Sequence, residues 1–264
     1  MKKVKLLSIL FLCAGISAYA QGEKALIKID IDRTVGQIDP HLYGNFSEHL
    51  GQGIYGGIYD PTSSQADEEG FRKDVIEATR ELGVSVLRWP GGNFVSGYHW
   101  EDGIGDPDKR PVRIDLAWGG REPNRVGTDE FVKFARKAGV EPYFCVNLGT
   151  GSLDEARNWV EYCNVEKGTY YSDLRRKNGS EQPYKIKYWG LGNEVDGPWQ
   201  MGHKTPDEYA KVAVETAKLM RWIDPEIKLV ASGSSNYDAD WNLWNRTFLD
   251  QMYDYIDFIS LHHY

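Results

Sequence analysis

The sequence predicts an α/β fold built on a parallel sheet that closes as a barrel, and three observations carry the prediction. Apolar runs of strand length alternate with amphipathic runs of helical length along most of the 264 residues, an order that implies a parallel sheet. No Gly-x-Gly-x-x-Gly turn follows the first strand, which weakens a doubly wound nucleotide-binding sheet. The chemically unusual residues (Glu48, Arg88 to Asn93, Asn193-Glu194 and His262 to Tyr264) stand just after strands. A (β/α)8 TIM barrel collects its catalytic groups at that end of its strands.

Each element has its own signal. Leu26, Ile27, Ile29 and Ile31 within Ala25 to Ile31 predict a strand with one buried face. After Asp39-Pro40 the first barrel strand covers about Leu42 to Phe46. A helix is predicted from Glu69 to Leu82, with Phe71, Val75, Ala78 and Leu82 on one stripe. The strand Val84 to Trp89 leads into a glycine-rich excursion from Pro90 to Val126. That is far longer than an ordinary connection and hints at function. A helix at Asp129 to Ala138 and a strand at Pro142 to Asn147 follow. Ser152-Leu153-Asp154-Glu155 is a capping box opening a helix that ends near Cys163. Lys187 to Leu191 is the next strand. Thr205-Pro206-Asp207-Glu208 combines a capping box with proline in the first turn, and its helix stops near Asp224-Pro225. A strand at Ile227 to Ala231, a helix at Asp240 to Tyr253 and a strand at Phe258 to His262 complete six barrel strands and five helices. The chain ends on the sixth strand, so the barrel is expected to be incomplete, with its remaining strands beyond Tyr264.

Residues 1–20 read as a removable leader: Lys2, Lys3 and Lys5, a short apolar run from Leu6 to Ile16, and Ala18-Tyr19-Ala20 as a cleavage site. The run is too short to span a bilayer, and Leu12 before Cys13 argues against lipidation. Losing three lysines takes the formal charge from -8 to -11. The expectation is an exported, acidic protein, periplasmic or extracellular, without membrane attachment after cleavage. The negative charge argues against a nucleic-acid partner, which needs a basic face. Cys145 and Cys163 are expected to be buried free thiols. Nine Trp and sixteen Tyr are compatible with sugar stacking. Trp100, Trp118 and Trp199, all in loops, are the candidate walls of a sugar site.

Trp189-Gly190-Leu191-Gly192-Asn193-Glu194 is the most informative segment. It ends a strand in an amide and a carboxyl group. Glycosidic cleavage needs one carboxylic acid to protonate the leaving oxygen and a second carboxylate opposite it. Apolar neighbours such as Trp189 are expected to help the acid keep its proton. His262 and His263 look like a metal pair, but adjacent strand residues point to opposite faces, so no metal site is expected.

Three further segments, in order, sharpen the reading: Gly44-Asn45-Phe46-Ser47-Glu48-His49, Leu87-Arg88-Trp89-Pro90-Gly91-Gly92-Asn93-Phe94 and Ser260-Leu261-His262-His263-Tyr264. Together with Gly192-Asn193-Glu194 they resemble the glycoside hydrolase family 51 α-L-arabinofuranosidases, over about residues 26 to 264. The resemblance implies a retaining enzyme in which Glu194 is the general acid/base and Asn193 hydrogen-bonds the sugar 2-hydroxyl. It implies that Glu48 and Asn93 bind furanose hydroxyls and that Arg88 supports the nucleophile. Tyr264 would bond the nucleophile, and His262 would lie close to the acid/base. The nucleophile itself would be a glutamate on the seventh strand, beyond this chain. With residues 1–20 as leader, the resemblance implies two further segments: 21–40 as a strand of an accessory β-sandwich, and 41–264 as a partial catalytic barrel. The substrate would be an arabinofuranosyl-containing oligo- or polysaccharide, with no cofactor and with homo-oligomers common. Another retaining glycosidase of the same clan (endo-xylanase or endoglucanase) keeps Asn193-Glu194 but leaves Glu48 and the Arg88 to Asn93 run unexplained. A non-catalytic carbohydrate-binding barrel is the alternative from a different class.

Overall fold

The computed structural model describes residues 25–236 and 240–263. It divides the chain into two units, up to Ile38 and from Asp39 onward. In the first unit, residues 25–38 carry no strand, and Leu26, Ile27, Ile29 and Ile31 are exposed. The expected strand at Ala25 to Ile31 is thus absent. A strand exists only with a ladder partner, and none is found among the described residues.

The second unit holds a six-stranded parallel sheet. Its strands are β1 (Asn45–Phe46), β2 (Val86–Trp89), β5 (Glu141–Val146), β6 (Tyr188–Leu191), β7 (Lys228–Ser232) and β8 (Phe258–Ser260). β3 (Arg113–Ile114) and β4 (Arg121–Glu122) form a separate antiparallel hairpin. The spatial order β1-β2-β5-β6-β7-β8 follows the chain with no reversal. A doubly wound sheet must reverse order at its switch point, whereas successive barrel strands do not. The sheet is therefore six successive strands of an incomplete barrel.

Helices α1 (Lys73–Glu81), α3 (Thr128–Ala138), α4 (Leu153–Asn164), α6 (Pro206–Ile223) and α7 (Trp241–Met252) are the five expected from the sequence. Thr205 forms its expected capping box, Glu208 closing onto Thr205 N–H at 2.8 Å. At Ser152 only the cap is made, its Oγ accepting from Glu155 N–H at 3.1 Å, because the Glu155 carboxylate turns to His99 instead. Two short helices were not expected. One is α2 (Gly92–Val95), and the other is α5 (Tyr170–Lys177), opened by Thr169 with Ser172. α1 starts four residues later than expected because the Asp67 carboxylate takes the N–H groups of Glu69 and Phe71 into a turn. β1 is shortened likewise, since Asp39 caps a 3-10 turn at Pro40–Tyr43.

Pleating separates the site from the core. Trp89, Phe144 and Trp189 lie in register on neighbouring strands and are fully buried. Trp89 stacks on Phe131 at 5.0 Å and Phe144 on Trp159 at 5.0 Å, tying the sheet to α3 and α4. Arg88 alternates to the opposite face of the sheet. On that face, a Cβ at Gly190 would stand 2.9 Å from the Tyr143 hydroxyl, so glycine is needed for close packing. Cys145 and Cys163 are free and buried, as expected.

Candidate active site

The C-terminal ends of β1, β2, β6 and β8 converge on a cleft of about 500 Å³. Glu48, Arg88, Asn93, Asn193, Glu194 and His262 all line it, so the sequence candidates are brought together. Tyr264 lies outside the described residues. Trp118, Trp199, Phe46 and Leu50 provide apolar wall.

Glu194 has φ of 45°, in the left-handed region that a side chain adopts at a cost. The following turn, closed by Gly197 N–H to Glu194 C=O at 2.8 Å, holds it there. One carboxyl oxygen, Oε2, accepts from the Trp199 indole N–H at 3.0 Å. The other, Oε1, lies 2.8 Å from His262 Nδ1. The carboxyl group is thus clamped from the loop after β6 and the loop after β8.

Trp189, expected beside this acid, is on the other face of the sheet. Its indole donates to the Ile186 carbonyl at 3.0 Å and its ring packs against Phe144 and Trp159. The alternation of the strand aims it into the helix layer. Trp199 takes the position expected of Trp189. Trp100 is likewise no wall, being 1% exposed and stacked parallel to Trp159.

Asn193 is 2% exposed. Its Oδ1 accepts from Arg88 at 2.8 Å, which fixes the amide orientation and turns Nδ2 away from the arginine. Nδ2 is buried with no acceptor among the described residues. A buried donor left unpaired costs about 1–3 kcal/mol, so this amide is set up for an acceptor beyond the described residues. Arg88 also reaches Glu48 Oε1 at 3.3 Å. Both groups are only about one-sixth exposed, which makes the pair more than a surface contact.

Glycine makes room for Glu48. A Cβ on Gly92 would stand 2.5 Å from Glu48 Oε2, and Gly91 has φ of 94°. The Gly91-Gly92 pair therefore serves both a turn and a close approach. Among the described residues no cluster of three or more His, Cys, Asp or Glu has metal-binding geometry. Sequence reasoning missed the bond from Trp199 to Glu194 and the bond from Gln200 Nε2 to the Asn193 carbonyl at 2.6 Å. The run Pro198-Trp199-Gln200 lies four to six residues past Glu194, and only a tight turn there could have shown it.

Residues 78–264 match the family described as the alpha-L-arabinofuranosidase 1 domain. The chain belongs to the family 51 α-L-arabinofuranosidases. It is 54% identical over 243 residues to the intracellular exo-alpha-(1->5)-L-arabinofuranosidase 1 of Bacillus subtilis, covering 92% of this chain and 49% of that protein. Among solved structures it is similar to the family 51 enzyme of Bifidobacterium longum, with a TM-score of 0.85 and 47% identity over 87% of this chain and 46% of that one. The arabinofuranosidase of Thermotoga maritima, solved as an arabinose complex, gives a TM-score of 0.80 and 57% identity, covering 84% and 45%. The chain spans about half the length of the curated relatives it matches.

The expectation of export is overturned by these family members. The relatives from Bacillus subtilis, Acetivibrio thermocellus and Halalkalibacterium halodurans are all named intracellular. The leader reading fell on residues 1–20, which lie outside the described residues. A basic, apolar N-terminus is a pattern that short stretches meet by composition alone.

Proposed function

We propose that the whole protein is a retaining exo-acting glycosidase that releases terminal α-L-arabinofuranosyl groups from arabinose-containing oligo- and polysaccharides. The observation that carries the reading is the clamped carboxyl group of Glu194 beside the unpaired Asn193 amide at the end of one barrel strand.

In this reading Glu194 protonates the glycosidic oxygen as a second carboxylate attacks the anomeric carbon. Trp199 has only a donor to offer, so Oε2 accepts from it, while Oε1 lies beside His262 Nδ1. After the aglycone leaves, the same group takes a proton from the water that cleaves the glycosyl-enzyme ester. Asn193 Nδ2 meets the sugar 2-hydroxyl, an interaction that strengthens as positive charge develops at the anomeric carbon. Glu48 and Asn93 bind the other furanose hydroxyls. Arg88 holds Glu48 and Asn193 in place and supports the nucleophile.

The family resemblance puts the nucleophile, with Tyr264 as its neighbour, on a strand outside residues 1–264. No cofactor enters the scheme, since both carboxylates come from the protein. Residues 21–40 are assigned to an accessory β-sandwich, a reading supported by the exposed apolar side chains of Leu26, Ile27, Ile29 and Ile31, which call for a covering partner. Residues 41–264 are assigned to the catalytic barrel.

The test is to assay the complete protein on 4-nitrophenyl α-L-arabinofuranoside, α-1,5-linked arabino-oligosaccharides, xylan and glucan, following the anomer first released by NMR. Arabinose released with retained configuration supports the reading. Cleavage of xylan or glucan alone would keep the fold and discard the substrate, and inversion would discard the double displacement.

A further inference from the structure

Glu48 and the Trp118 wall come from distant parts of the chain, yet one buried carboxylate joins them. Residues 47 to 49 continue the pairing of β1 with β2, through Ser47 N–H to Arg88 C=O at 2.8 Å and His49 N–H to Pro90 C=O at 3.4 Å. Extended backbone sends neighbouring side chains to opposite sides. Glu48 faces the cleft, and His49 enters the protein, where it is 7% exposed and stacks on Phe94 at 4.1 Å with planes 9° apart.

The hydrogen bonds of His49 fix its tautomer. The Trp89 indole N–H can only donate, and it meets Nε2 at 3.1 Å. Nε2 is therefore the acceptor and the ring proton sits on Nδ1. That N–H points at Glu122 Oε2, 2.8 Å away. Glu122 is itself 5% exposed and also accepts from the Tyr55 hydroxyl and from the Asn124 backbone N–H at 2.6 Å. Three donors from three parts of the chain thus converge on one carboxylate.

Glu122 ends β4, the return strand of the hairpin whose turn carries Trp118 to the cleft. The ion pair that holds β3, Arg113 with Asp102, has its arginine 62% exposed and is screened by solvent. The buried attachment of the hairpin is Glu122. We propose that Glu122 is a positioning residue that, through His49, sets Glu48 and the Trp118 wall against each other, so that the terminal-sugar pocket and the wall for the group attached to it are aligned together. This rests on the cleft being the arabinofuranosidase site.

Two measurements on the complete protein decide it. Glu122→Gln keeps the shape but sets an amide donor against the converging donors. Hydrogen exchange in 47–55 and 113–122 is expected to quicken at least about tenfold, with α6 unchanged. kcat/KM on arabino-oligosaccharides is expected to fall about 10- to 100-fold, as a displacement near 1 Å does to a site. Adding Trp118→Ala should then cost less than it does in the wild type, because the two changes disturb one wall. His49→Asn retains an N–H toward Glu122 and should keep more activity than His49→Leu. Unchanged exchange in the hairpin, or losses that multiply independently, overturns the proposal. A wild type silent on arabinofuranosides would sink the functional reading, while exchange would still decide the positioning role.

Discussion

The indole N–H of Trp199 donates to Oε2 of Glu194 at 3.0 Å, from five residues further along a turn that holds Glu194 at φ of 45°. The bond holds the carboxyl group in one orientation. Trp199→Phe keeps the aromatic wall and removes the donor. A hydrogen bond to an ionisable group is worth about 1.5–3 kcal/mol, part of which is recovered by solvent at this exposed rim. kcat/KM on arabino-oligosaccharides is expected to drop about tenfold, with thermal stability unchanged. Activity equal to wild type would show that the Trp199 bond does not orient the acid.

Gly92 is a test of the space around Glu48. Its backbone is helical and tolerates alanine, but the added Cβ would meet Glu48 Oε2 at 2.5 Å. Gly92→Ala should therefore displace the carboxylate with little loss of stability. A fall of about 100-fold in kcat/KM is expected from steady-state kinetics, alongside a melting temperature within a few degrees of wild type.

The pattern of what could be read in advance follows from physics of different range. The six barrel strands and five main helices were legible because their periodicity and caps, as at Ser152 and Thr205, are local signals. The cluster of Glu48, Arg88, Asn93, Asn193, Glu194 and His262 was legible because barrel strands deliver their ends to one face. The pairing of Glu48 with Arg88 and the Trp199 arm of the clamp on Glu194 were not, since side-chain partners depend on how loops fold back; the His262 arm was expected only through the family resemblance. Trp189 was misplaced for a related reason: its position relative to Glu194 depends on strand pleat, which Gly192 (φ of 85°) and the turn after it reset. The strand at Ala25 to Ile31 is not formed among the described residues, because alternation shows only that a face could be buried. It does not supply a partner.

Asp129 offers a pH-dependent signature away from the site. Burial raises its carboxyl from 3.8 to about 6, against the lowering effect of bonds from the Tyr184 and Tyr162 hydroxyls. The folded state therefore holds this proton between about pH 4 and 6, where the unfolded chain has released it. The group's contribution to stability is present below pH 4 and is lost as pH rises through 6, by up to about 3 kcal/mol at 1.36 kcal/mol per unit. In Asp129→Asn that slope should vanish. Denaturant melts at pH 4.5 and 7 should find the variant faring better relative to wild type at pH 7, and a constant difference would refute the assignment.

Arg175 is a buried cation that lacks a carboxylate among its hydrogen-bond partners. Its guanidinium donates to the carbonyls of Tyr162 at 2.8 Å, Val165 at 2.6 Å, Glu166 at 2.7 Å and Ser180 at 3.2 Å. These include carbonyls at the end of α4, where the helix dipole favours a positive charge. Arg175→Ala should cost about 3 kcal/mol or more through orphaned carbonyls, and Arg175→Lys should recover only part, lacking the fork. KM of the folded fraction is expected to stay within twofold of wild type.

The central claim is the role of Glu194, and the most direct measurement is Glu194→Ala in the complete protein, assayed on arabinofuranosides of graded leaving-group ability with and without azide. A general acid/base matters most when the leaving group needs a proton. The account predicts a loss of several hundredfold or more on alkyl and sugar aglycones, a small loss of kcat/KM on activated aryl aglycones, and recovery of turnover with azide as an α-L-arabinofuranosyl azide forms from the glycosyl-enzyme intermediate. Equal loss on every leaving group, with no azide product, would contradict it.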